Sequence, residues 1–368
     1  MKRTHQSMLL LGGLALGAWL YAEHASQGGA PSSDAAAGQA APVFQAALPP
    51  PAEREFRDAP AVVEPDAPTA ALPALGDLLR EAETAREAAA APSTTLAAFA
   101  PGPAASLPPI ARDSPDAPWR VNAMPFHDRP GAKLIAVVID DAGLDRARTA
   151  RAIRLDGPLT ISFLPYAGEL PRQAEDARRH GHERMLHLPM EPISPAEDPG
   201  PYPLMTWLAP GEMQRRLTMS LERFAGFVGV NNHMGSRMTL DVGAMLPVLE
   251  QVRARGLLFV DSRTIAGSVA GPLADRLGIP GAARDVFIDH DGNEEAVAAR
   301  LADIERIALR QGQALAIGHP HDVTLEALER WLPTLSGRGF TLAPVSALAE
   351  RRLTRRERAV PVSAGTGG

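Results

Sequence analysis

From Lys133 onward, short apolar runs alternate with segments whose apolar residues recur every three or four positions. Leu134 to Ile139 is an unbroken, β-branched run, as expected of a strand buried on both faces. Leu144 to Leu155 is charged and amphipathic, which predicts a helix. The alternation continues with strands over 159–164, 184–188, 227–230, 257–260, 285–288, 314–317 and 340–342. Helices are predicted over 171–180, 212–224, 241–255, 294–311 and 324–335, two of them closed by Gly256 and Gly312. About eight strands, mostly separated by helices, imply a parallel sheet covered by helices, an α/β fold. Over roughly 220 residues the natural architecture is a closed (β/α) barrel of about seven or eight parallel strands. A doubly wound open sheet is the alternative. The first strand, however, runs into Asp140, Asp141, Ala142 and Gly143 rather than a Gly-rich dinucleotide loop.

Before Lys133 the pattern changes. Lys2 and Arg3 precede an apolar run from Met8 to Tyr21, the arrangement of an export signal. The positive end is expected to stay in the cytoplasm. The run is shorter than the ~20 residues that comfortably span a bilayer. The residues after it (Ala22, Glu23, His24, Ala25, Ser26) offer no clean cleavage site, so an uncleaved anchor and a cleaved signal peptide both stay open. Residues 25–132 are dominated by Ala, Pro, Ser, Gly and charge, with too few large apolar residues to offset chain entropy. Leu75 to Ala91 has helical character, but a lone helix of that length is marginal in water. The expected organisation is a signal or anchor over 1–24, a disordered spacer over 25–132, a barrel over 133–352 and a disordered tail over 353–368. The barrel would then be periplasmic, tethered to the inner membrane or released if the signal is cleaved.

Composition narrows the chemistry. The chain has no cysteine, which excludes disulfides, thiolate metal sites and a cysteine nucleophile. A net charge of -6 gives no case for nucleic acid. Any metal must be held by His, Asp and Glu, a ligand set suited to Zn²⁺ or another first-row divalent ion.

Active sites of parallel barrels lie at the C-terminal ends of the strands. The predicted strands deliver polar residues there: Asp140-Asp141, His187 and then Glu191, Asn231-Asn232-His233, Asp261 with Arg263, Asp289-His290-Asp291, and His319-Pro320-His321. Each has an ordinary explanation, such as a turn or a helix cap for the paired aspartates. Those separate explanations do not account for their joint placement at one rim. Adjacent Asp140 and Asp141 suit a division of labour, one binding metal and one acting as base. A histidine from another strand would protonate the leaving group.

Several segments also resemble a known family. Val138-Ile-Asp-Asp-Ala-Gly143 resembles the Asp-Asp motif that opens polysaccharide deacetylase (NodB-like) domains, and Gly181-His-Glu-Arg-Met-Leu-His187 resembles the approach to their metal-binding His. Asn231-Asn-His-Met-Gly-Ser236, Phe259-Val-Asp-Ser-Arg263, Arg284-Asp-Val-Phe-Ile-Asp289 and Ala316-Ile-Gly-His-Pro-His321 are similar to the divergent, YibQ-like subfamily. The resemblance implies a distorted barrel, one divalent metal ion and hydrolysis of an acetyl group on a glycan. Carried over, Asp140 is the general base, Asp141 and His187 are metal ligands, and His319 is the general acid. The ordinary motif has a second His four residues after the first, where this chain has Glu191. Either Glu191 or His233 then supplies the third ligand, with His233 preferred. Asp261 or Arg263 would orient the base in place of the usual Arg, and Asn231, Asn232, Asp289 and His321 remain for substrate.

The function expected is metal-dependent removal of amide- or ester-linked acetyl groups from an envelope polysaccharide. The alternative is a glycan-binding or scaffolding barrel with weak or no catalysis.

Overall fold

The computed structural model describes residues 111–359. A short helix, α1 (Pro118–Val121), precedes β1 (Lys133–Ala142). Then follow α2 (Arg146–Ile153), β2 (Thr160–Phe163), α3 (Leu170–Arg179), β3 (Glu183–Met190), α4 (Pro210–Leu221) and β4 (Gly229–Met234). The second half holds α5 (Val242–Ala254), β5 (Leu258–Asp261), α6 (Ala270–Arg276), β6 (Gly281–Ala283), β7 (Val286–Phe287) and α7 (Glu294–Gln311). It closes with β8 (Gln313–Gly318), α8 (Asp322–Trp331), β9 (Phe340–Leu342) and α9 (Val345–Ala359).

The strands form one curled parallel sheet in the order β6-β5-β4-β3-β2-β1-β8-β7. The ninth, β9, pairs with Lys133 to Ile135 of β1, while β2 pairs from Val138 onward. This is the expected (β/α) barrel, but no ladder joins its two edge strands. The chain itself crosses between them. Arg284 N–H donates to Asp261 O on β5, and the next residue, Asp285, donates N–H to Leu315 O on β8.

The period-2 alternation of a strand sorts side chains between two cores. On β1, Ile135, Val137 and Ile139 pack outward in the apolar cluster that also holds residues of α3, α4, α5 and α7. Leu134, Ala136 and Val138 face inward with Met185, Leu258, Val260, Leu315 and Ile317. The inner cluster is plugged by Trp119 of α1 and by Leu348, Ala349 and Leu353 of α9.

That plug corrects two expected boundaries. Ordered chain begins well before Lys133: Trp119 is 2% exposed, its indole donates to Arg112 O, and Asn122 Nδ2 donates to Phe227 O. One tryptophan buries enough apolar surface to seat a segment whose neighbours are Pro, Ala and charge. At the other end, α9 continues past Arg352 to Ala359. Its Arg351, Arg352 and Arg356 pair with Asp128 and Asp275, so a charge-rich stretch that resembles a tail is held by ion pairs and by the apolar stripe through Leu353. Strand β6 and helix α6 were not expected from the sequence. Gly281, Ala282 and Ala283 are too small to register as an apolar run, and α6 is only two turns long. The N-terminal apolar run and the spacer up to residue 110 lie outside the described residues. No helix among those described is long and apolar enough to cross a membrane.

Candidate functional site

In a regular strand Asp140 and Asp141 would point to opposite faces. Asp141 instead has φ 55°, and the pairing of β1 with β2 shifts register between Ile139 and Ala142. This bulge turns both carboxylates toward the same ring: His187 Nε2 lies 3.5 Å from Asp140 Oδ2 and 3.2 Å from Asp141 Oδ1. A left-handed non-glycine residue costs ~1–3 kcal/mol and persists only where its surroundings fix it. Gly143 supplies part of that fixing. Its φ of +111° suits glycine, its N–H donates to Thr149 Oγ1 at 2.9 Å, and a Cβ there would lie 2.6 Å from Ala167 Cβ. The helix-cap explanation of the paired aspartates falls away, because Asp145 caps α2 by accepting from Arg148 N–H.

Strands β3 and β4 contribute the next residues. Their register sets His187 opposite Asn231. Asn231 and His233 share one face of β4, two residues apart. His233 Nδ1 is 2.9 Å from Asp141 Oδ1. Asn231 is fully buried and ties the group together. Its Nδ2 donates to Asp140 Oδ1 and Oδ2 at 2.8 and 3.0 Å, and to Ser262 Oγ at 3.2 Å. Its Oδ1 accepts from Ser162 Oγ at 2.6 Å and from His187 Nδ1 at 3.0 Å.

The far side of the mouth is built the same way from β7 and β8. Phe287 and Ile317 are register partners, and two residues beyond each stand Asp289 and His319. Asp289 Oδ2 accepts from His319 N–H and Thr324 Oγ1, and Asp289 Oδ1 is 3.1 Å from His319 Nδ1. That leaves His319 Nε2 facing the cluster, 3.8 Å from Asp141 Oδ2.

One ligating atom each from Asp141, His187 and His233 lie within 4.8 Å of one another. Ligands about 2 Å from a tetrahedral ion sit about 3.3 Å apart, close to the separations around Asp141 Oδ1. That oxygen is also buried without a hydrogen-bond partner, a costly state unless a cation neutralises it. Donor set and orphaned oxygen together fit a divalent ion. Loss of water works to raise the Asp141 carboxyl, yet His233, His187 and His319 hold it well below the usual carboxylate range. Burial pushes Asp140 upward, offset only in part by His187, His319 and the Asn231 amide. Burial opposes charge on His319 too, but Asp289 and the paired aspartates outweigh it and lift the ring to about 10.

The sequence profile of the divergent polysaccharide deacetylases matches residues 137–349. The chain belongs to this family. It is 32% identical over 216 residues to the uncharacterized protein YibQ of Escherichia coli (strain K12), a match covering 58% of this chain and 66% of YibQ. An uncharacterized Haemophilus influenzae protein is 31% identical over 210 residues, covering 55% of this chain and 71% of the relative. Among solved structures, the uncharacterized protein ATU2773 from Agrobacterium tumefaciens C58 is similar at 32% identity and a TM-score of 0.62, over 66% of this chain and 99% of that one.

In this divergent polysaccharide deacetylase family member, several residues singled out from the sequence stand apart from the cluster. Glu191 does not face it: Oε2 accepts from Thr206 N–H and Oγ1 at 2.6 and 2.7 Å, pinning the loop after β3. Asp261 turns to the helix side, accepting from Gly271 N–H, Ser268 Oγ and Arg263 N–H. Arg263 is exposed, and its guanidinium reaches Arg284 O at 3.5 Å rather than Asp140. Asn231, expected at the substrate, has no exposed surface to offer one. Asn232 alternates to the outer face, where it accepts from Ser262 N–H and donates to Met234 O. Asp289 is occupied with His319. His321 is exposed at the start of α8.

Three residues of this family member were missed. Ser162 and Ser262 complete the Asn231 network; Ser262 lies within the family-like segment Phe259-Val-Asp-Ser-Arg263, but nothing local to either serine marks Asn231 as its partner. Arg284 donates to Ser262 O and Arg263 O at 2.6 and 2.7 Å and stacks 5.0 Å from the Phe287 ring. Burial lowers its pKa to about 10. It braces the crossing that closes the barrel, a role invisible before the sheet order is known.

Proposed function

We propose that this protein is a metal-dependent hydrolase that removes acetyl groups from an envelope polysaccharide or related carbohydrate. The observation that carries the reading is the convergence of Asp141, His187 and His233 with Asp140 on one flank and His319 on the other. Family membership supports the carbohydrate substrate. The metal proposed is Zn²⁺, from one carboxylate and two imidazoles. When bound, it supplies Lewis acidity, polarising an acyl carbonyl and acidifying water.

The residues around it divide the remaining work. Asp141, His187 and His233 hold the ion. Asp140, fixed by two bonds from Asn231, accepts a proton from the attacking water as oxygen adds to the acyl carbon. His319, steadied by Asp289, gives a proton to the departing amine or alcohol as the C–N or C–O bond breaks. Acetate and a free amino or hydroxyl group are the products. Lys2, Arg3 and the apolar run from Met8 to Tyr21 support a periplasmic barrel tethered to the inner membrane.

The test is acetate release from peptidoglycan and other glycans by Zn²⁺-loaded protein, against metal-stripped protein. Release that depends on metal supports the reading. Tight metal binding without release from any glycan would favour a barrel that binds glycan without cleaving it.

A further inference from the structure

We infer a second divalent-cation site on the outer side of His319, formed by Asp289, His319 and His321. One ligating atom from each of these residues lies within 4.8 Å of the others. Asp289 Oδ1 and His319 Nδ1 are 3.1 Å apart, the His319 and His321 ring centroids are 5.6 Å apart, and the rings are inclined at 41°. Asp289 is buried and locked by Thr324 Oγ1 and His319 N–H, so one ligand is fixed in advance. His321 is exposed, and its ring makes no hydrogen bond among the described residues, so it is free to swing onto an ion. Its neighbour Asp322 is engaged by Arg148 rather than by His321. Phe287 packs edge-on against His319 at 5.2 Å and closes one side to water.

The donor set, two imidazoles and one carboxylate, selects a borderline first-row ion such as Zn²⁺, Ni²⁺ or Cu²⁺ over Mg²⁺ or Ca²⁺. Such an ion takes the place of the proton that His319 Nδ1 now shares with Asp289, and that proton leaves to solvent. One ligand comes from an exposed side chain that must be ordered on binding, so this site is weaker than the enclosed one at Asp141, His187 and His233. Where the function proposed above holds, an ion here also withdraws His319 from proton transfer, so zinc in excess inhibits while zinc at stoichiometric level activates.

The binding itself is tested without turnover. Full-length protein is stripped with chelator and titrated with Zn²⁺ by calorimetry, with bound metal counted after equilibrium dialysis. The expected result is two ions per chain at excess zinc for the natural protein. His321→Ala should take up one ion only, with an unchanged melting curve because the residue is exposed. His187→Ala should lose the tighter ion and keep the weaker. A natural protein that saturates at one ion, with that ion lost in His187→Ala, overturns the inference. So does a His321→Ala protein that still binds two. If the natural protein binds one ion that His321→Ala loses and His187→Ala keeps, the second site stands and the centre proposed for hydrolysis fails.

Discussion

The side-chain carbonyl of Asn231 accepts the Nδ1–H of His187 at 3.0 Å, so in the neutral ring Nε2, 3.2 Å from Asp141 Oδ1, is the nitrogen that carries the lone pair. The amide has one workable orientation. Its other end lies between both oxygens of Asp140, and an ionised carboxylate only accepts. A single amide therefore selects the tautomer of one proposed ligand and positions the proposed base. It replaces the Arg expected near the base with a neutral group that spans two strands.

Asn231→Leu should leave Asp140, His187 Nδ1 and Ser162 Oγ short of partners. At ~1–3 kcal/mol for each unsatisfied buried group, the melting temperature should fall clearly. Zinc affinity should drop by roughly 10–100-fold, the usual effect of removing a partner of a ligating histidine. Calorimetry with zinc and thermal denaturation check both. Unchanged zinc affinity would mean that His187 needs no help from Asn231.

His187→Ala should lower the tightly bound metal with little change in secondary structure, because the barrel core lies in other layers. Metal analysis alongside circular dichroism measures this. Glu191→Ala should keep the metal, since its carboxylate is committed to Thr206.

Asp140→Asn should keep metal yet lose turnover by about 10²-fold or more, the usual worth of general acid–base catalysis. His319→Ala should do the same, least for substrates with a good leaving group. Acetate release under saturating substrate is the readout. Near-normal turnover by Asp140→Asn would exclude it as the base.

A chain beginning at Lys133 should be less stable than one beginning at residue 111. Removing Trp119 alone forfeits a side chain that is 2% exposed, worth ~3–5 kcal/mol by analogy with Trp→Ala changes. Urea denaturation of the two chains, and of Trp119→Ala, gives the difference. Equal midpoints would mean that the pole of the barrel closes without this segment.

Glu183 lies at the opposite pole from the metal cluster, and burial raises its carboxyl above the ordinary 4.5 despite bonds from Ser346, Met124 and Thr160. The folded chain then keeps a proton that the unfolded chain has lost. Its contribution to stability is present below pH 4.5 and declines as pH rises through the raised value. Glu183→Gln should remove that decline, whatever it does to absolute stability. Denaturant midpoints across the acid-to-neutral range test the sign.

The alternation of apolar runs and amphipathic segments was enough to determine a parallel sheet covered by helices, because each period commits a segment to one kind of burial, whereas its curling into a barrel rather than an open sheet was decided by strand order. It also placed Asp140, Asp141, His187, His233 and His319 at strand ends, and absent cysteine restricted the ligand types. Which of these residues meet depended on sheet order, register and one bulge. Asp140 and Asp141 share a target only because Asp141 takes a left-handed conformation. His233 rather than Glu191 stands beside Asp141 because β4 lies next to β3 and continues to Met234. Asn231 and Asp289 looked like surface groups awaiting a substrate, and strand pairing turned them inward to hold His187, Asp140 and His319. Trp119 was unremarked among prolines because its partners, such as Gly256, are distant in the chain. Local sequence records what a segment needs to bury. The partner that satisfies a polar group there belongs to another strand, and only folding selects it.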